Sequence, residues 1–80
     1  MSVILRPLGP LKNYIDGQSE RLVEPGRSVR QTLMEAGIPP EIVALVMVKD
    51  GKTQHEEQQS KDYILQEGDT AKLIAVIGGG

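Results

Sequence analysis

Apolar positions in this chain fall in short bursts separated by turn residues, and only one segment carries a helical period. Val3 to Leu8 reads as a first strand, with Pro7 tolerable near its end or at a sheet edge. Gly9-Pro10 marks a turn, Leu11 to Ile15 a short helical turn, and Asp16-Gly17 a second reversal. Glu20 to Val23 then returns as the other arm of a broad hairpin. Ser28, with Gln31 three residues later, is a capping-box pattern that opens a helix. Val29, Leu33 and Ala36 lie at i, i+4 and i+7, so one stripe of that helix must rest on a sheet. Gly37 suits the left-handed position that closes a helix and Pro39-Pro40 forbids continuation, which predicts a helix over 29–36.

Ile42 to Val48 is apolar at nearly every position, as in a strand buried on one face and partly covered on the other. Asp50-Gly51 predicts a tight hairpin with Lys52 to Gln54 as a short return strand, and the polar run from Gln54 to Asp62 reads as a solvated loop. Tyr63, Ile64 and Leu65 are expected to drop into the core before Gln66 to Asp69 turns the chain into a last strand, Thr70 to Ile77. Lys72 sets the phase of that strand. With its charge in solvent, Ala71, Leu73, Ala75 and Ile77 face inward, while Ile74 and Val76 share the outward face with no evident reason for exposure. They are the candidate partner-docking residues.

The order of elements predicts an α+β domain: a mixed sheet of four to five strands packed on one main helix. If the first and last strands pair at the centre they must run parallel. That is the β-grasp, or ubiquitin-like, arrangement, with residues 1–77 as the folded domain and 78–80 as a flexible glycine tail.

Composition narrows the chemistry. The 80 residues are 39% hydrophobic and 25% charged, with neither Phe nor Trp, so the core must be aliphatic. Few aromatics and scattered Lys and Arg, at a net charge of −2, argue against a nucleic-acid partner. No apolar run approaches the roughly 20 residues of a membrane span. Met1 to Leu5 is too brief for a signal peptide, so a cytoplasmic protein without a membrane partner is expected. Absence of cysteine removes disulfides, thiolate metal sites and cysteine nucleophiles, and His55 is the lone imidazole, so no metal site is expected. His55 lies among Glu56, Glu57, Gln58 and Gln59 and reads as a surface histidine; Glu56, Glu57 and Asp69 do not form a credible catalytic pair.

The chain runs from its last strand straight into Gly78-Gly79-Gly80. Glycines offer no side chain and accept almost any backbone geometry, so a narrow cleft could close around them. A frayed tail is the equal alternative on the glycines alone.

Several stretches resemble a known family. Asp62-Tyr63-Ile64-Leu65-Gln66-Glu67-Gly68-Asp69-Thr70, followed by a strand and Gly79-Gly80, looks like ubiquitin-like proteins and, more closely, the prokaryotic sulfur carriers of the MoaD/ThiS type. Gly9-Pro10-Leu11-Lys12 and the helix opening Ser28-Val29-Arg30 are similar to the branch that forms the small subunit of molybdopterin synthase. The ending Val76-Ile77-Gly78-Gly79-Gly80, which lacks prolines before its glycines, looks more like the thiamine-pathway branch.

The resemblance implies a carrier that is not itself a catalyst and binds no cofactor. Its Gly80 carboxylate would be adenylated with ATP by an E1-like enzyme of the MoeB/ThiF type and converted to a thiocarboxylate, with Gly78 and Gly79 entering the partner's active site. The recipient would be a MoaE-like large subunit in molybdenum cofactor biosynthesis; thiazole synthase and tRNA thiolation are alternatives. A ubiquitin-like modifier that forms isopeptide bonds and a non-covalent adaptor are readings of another class.

Overall fold

A computed structural model of the chain describes residues 2–75. The fold is α+β, a five-stranded mixed sheet with one α-helix and two 3-10 segments. In chain order the strands are β1 (Val3–Pro7), β2 (Arg21–Val23), β3 (Val43–Lys49), β4 (Glu56–Gln59) and β5 (Thr70–Ala75). Across the sheet they lie in the order β2-β1-β5-β3-β4. The first and last strands therefore meet at the centre, and they run parallel, with Arg6 opposite Lys72 and Pro7 opposite Leu73. No helix among the described residues is long and apolar enough to cross a membrane.

Pro7 sits inside the sheet without loss. The amides of Ile4 and Leu8 donate toward β5, so residues of the other parity point toward β2. β2 ends its pairing at Leu5 opposite Arg21, and the missing Pro7 amide faces a position beyond that last pair.

Helix α1 spans Val29–Ala36, the predicted range. Ser28 caps it, its Oγ accepting from the Gln31 amide at 3.1 Å, and Gly37 closes it at φ 83°. The Gln31 side chain turns to Glu35 rather than back to the Ser28 amide, so only half of the capping box forms. Val29 and Leu33 are fully buried against Val3 and Leu5 of β1, Val43, Val46 and Val48 of β3, and Ala71 and Leu73 of β5. Burial of an aliphatic side chain contributes about 1.5–3 kcal/mol. The 3-10 segment Gly9–Ile15 adds Leu11 and Ile15 to the same core.

Three expectations need correction. The second strand of the β3 hairpin is Glu56–Gln59, not Lys52 to Gln54. Residues 50–55 form a wider turn in which Asp50 accepts from the Lys52 and Thr53 amides and Gln54 adopts φ 62°. β4 escaped prediction because an edge strand needs only backbone pairing, and its Glu and Gln side chains give no apolar signal. Ile64 does not enter the core; it is exposed, while Leu65 is buried. Finally, the strand starting at Ile42 in the sequence begins at Val43, Ile42 closing a 3-10 turn, Pro40–Ile42.

β3 also departs from strict alternation. Its register jumps between Val43, opposite Ala75, and Leu45, opposite Ile74, so Ala44 is an extra residue. The bulge leaves Val43 and Val46 both facing the core and turns Leu45 outward, 37% exposed.

The wide turn packs directly on the one before β5. A methyl group on Gly51 would lie 2.5 Å from the Gly68 carbonyl oxygen, a backbone atom with no flexible side chain to yield. Gly51→Ala is expected to cost about 1–3 kcal/mol in urea denaturation through this overpacking.

Candidate functional site

β5 is hydrogen-bonded on both sides, to β1 and to β3, and the residues that follow it in sequence are Val76-Ile77-Gly78-Gly79-Gly80. Those five residues lie outside the described part of the chain. The proposed roles of Gly78, Gly79 and Gly80, and the outward placement of Val76, therefore have no geometry attached, nor does the boundary at residue 77. The site that can be built is the strand leading to them and the sheet face beside it.

The phase set by Lys72 holds through β5. Ala71 and Leu73 are fully buried, while Lys72 and Ile74 lie half-buried on the outward face. Ile74 is directly opposite Leu45, Lys72 is between Met47 on β3 and Arg6 on β1, and Thr70 is between Lys49 and Ile4. Leu22 of β2, opposite Ile4, extends the face to its far edge and is 69% exposed. Ile74 is thus one member of an interrupted apolar surface. The sequence pointed to it through the alternation around Lys72. The same logic applies to Ile4 and Arg6, which alternate with buried Val3 and Leu5. Leu45 was concealed by the bulge, which breaks the period of two.

Charges on this face are paired outward. Arg6 forms a salt bridge with Glu20, just before β2, its Nε lying 2.9 Å from the carboxylate oxygen. Lys72 Nζ reaches past β3 to Glu56 on β4, at 3.4 Å. Pairs this exposed contribute little to stability, typically about 0–1 kcal/mol.

The remaining candidate groups lie elsewhere. His55 Nε2 is 3.2 Å from Glu57 Oε2, both side chains exposed. They border a shallow cavity of about 130 Å³ lined also by Asp50, Tyr63 and Asp69. Asp69 is 4% exposed, and its Oδ2 accepts from the Tyr63 hydroxyl at 3.1 Å and from the Gln66 amide at 2.8 Å. Those bonds define a turn brace, since the carboxylate closes the loop that starts β5. The Asp50 carboxyl is held below its ordinary 3.8 by the Lys52 and Thr53 amides, so its contribution to the turn is present above that pH and fades in stronger acid. Among the described residues no three His, Cys, Asp or Glu side chains group to hold a metal ion.

A scan of the chain against protein-family models finds no match, and a search among curated proteins finds none.

The Tyr63 phenol is raised above its ordinary 10.0, first by burial and then by the neighbouring Asp69 carboxylate. A raised folded-state pKa means that the neutral phenol is favoured by folding. Its contribution is complete below pH 10.0 and is lost as pH climbs through the folded-state value. In a Tyr14→Phe background, ultraviolet titration should show the remaining phenol ionising later than free tyrosine, and Asp69→Asn should bring it back toward the ordinary value. A phenol that titrates normally in both proteins would refute the brace.

Proposed function

We propose that this chain is a β-grasp sulfur carrier acting in the cytoplasm, with Gly80 as the group that is activated. One observation supports the reading most: the strand that feeds the glycine run is the doubly paired centre of the sheet, parallel to β1 and antiparallel to β3. The sheet order, with the helix on one face, agrees with the β-grasp arrangement. A rigid strand leading into side-chain-free residues is what delivery of a carboxylate into a deep cleft requires.

The chemistry follows from the weak electrophilicity of a carboxylate. An E1-like enzyme would join the Gly80 carboxylate to AMP from ATP, releasing pyrophosphate. Sulfide-level sulfur from the donor would then attack the acyl carbon and displace AMP, giving a thiocarboxylate, ionised at neutral pH and reactive by the logic of a thiolate. A synthase of the molybdopterin type is the proposed recipient; thiazole synthesis and tRNA thiolation use the same chemistry. In this role the chain supplies no catalytic residue, and Ile74 with its neighbours on the outward face docks the activating enzyme.

Intact mass spectrometry tests the proposal, on protein from its native source and after incubation with an E1-like enzyme, ATP and a sulfur donor. A gain equal to the mass of sulfur less that of oxygen, localised to Gly80, is expected, and deletion of Gly80 should abolish it. Absence of the gain, or a native chain that continues past Gly80, would favour a non-covalent adaptor. Ile74→Asp should retain the fold, because the side chain lies on the outward face, yet slow loading; unchanged loading would remove this docking role.

A further inference from the structure

The centre of the outward face contains an arrangement that folding alone does not favour. Arg6 and Lys72 are register partners on β1 and β5, so two cations stand side by side on adjacent strands. Neighbouring strands are about 4.8 Å apart, and like charges facing each other across them are destabilising. Both share the outward face because Leu5 and Ala71, one residue before them, are fully buried. The acids that answer them are outside the pair: Glu20 on the β2 side of Arg6, and Glu56 on the β4 side of Lys72. Strand by strand across the face the order of charge is acid, base, base, base, acid, the third base being Lys49 of β3, which is the register partner of Glu56 itself. The positive potential between the two bases faces no acid on the strands that carry them. Apolar groups border that gap, Met47 beside Lys72 and Ile4 and Ile74 on flanking positions of the same two strands.

We infer that Arg6 and Lys72 together receive a carboxylate side chain from a protein partner, whose apolar neighbours rest on Met47 and Ile74. The charge pattern selects an acidic group, and the apolar border selects a folded protein element over a small anion. On binding, the partner's carboxylate would convert the unfavourable cation pair into a bridged one, in surroundings drier than those of either intramolecular salt bridge. The inference rests on the carrier reading for the identity of that partner, the E1-like activating enzyme, and deepens the docking role of Ile74.

The test compares wild type with Arg6→Met, Lys72→Met and the double variant, reading thermal melting and the kcat/KM of adenylation by the E1-like enzyme at low and high salt. Melting temperatures should hold or rise, because a like-charged register pair is removed and the exposed salt bridges lost with it contribute little. Loading should fall by roughly tenfold or more in the single variants and further in the double, mainly through KM. Added salt should weaken wild-type loading and barely affect the double variant. Lower melting temperatures would make the cations structural and overturn the inference. Wild type loaded, with all variants loaded equally well, would overturn it alone; wild type not loaded at all would overturn the carrier reading and this inference with it.

Discussion

Everything in this molecule depends on the parallel pairing of β1 with β5. The two strands come from opposite ends of the chain, and their union at the centre of the sheet forces every other element to the flanks. The chain between them must leave one edge of the centre, cross the sheet through α1, and return along β3 and β4. Closing so long a loop costs entropy before any contact in it is made. The aliphatic core offsets that cost: Val3, Leu5, Ala71 and Leu73, from the paired strands themselves, are all fully buried beneath α1. No aromatic ring contributes to that buried set, so close packing of small branched side chains does the work that one or two large residues do elsewhere.

Legibility in the sequence followed how strongly each element is tied to side-chain pattern. α1 was legible to the residue because a cap, an apolar stripe and a terminal glycine all act locally and agree. β1 and β2 were legible from the turn residues that bound them, and in β5 burial on one face imposes an alternation whose phase the single charge of Lys72 fixed. β4 was not, since its place is determined by hydrogen bonds to β3 and its Glu-Glu-Gln-Gln side chains serve only to keep an edge soluble. The bulge at Ala44 could not be read either; an uninterrupted apolar run has no polar marker to show where the alternation slips. Ile64 misled for the opposite reason, as an apolar residue whose backbone bridges to Ser28 while its side chain remains outside.

The candidate site was half legible. Ile74 could be found from one strand, whereas its surroundings, Leu45 opposite it and the Met47–Lys72–Arg6 row, required the order and register of three strands. That row also separates two kinds of surface charge. Glu20 and Glu56 temper the cations from the sides, yet the sheet still carries two bases where an alternating row would have been more stable. Like charges on neighbouring strands weaken the sheet there, and the apolar core beneath makes that cost tolerable.

The geometry of β5 has a mechanical consequence. Because β1 runs parallel to it and β3 antiparallel, tension applied beyond Ala75 is directed along the strand and crosswise to the hydrogen bonds on both sides. Those bonds are loaded in shear, many at once, and cannot be peeled one at a time as at a sheet edge. Force applied at Ala75 would therefore meet both hydrogen-bond ladders at once, and the centre of the sheet would resist it as a unit.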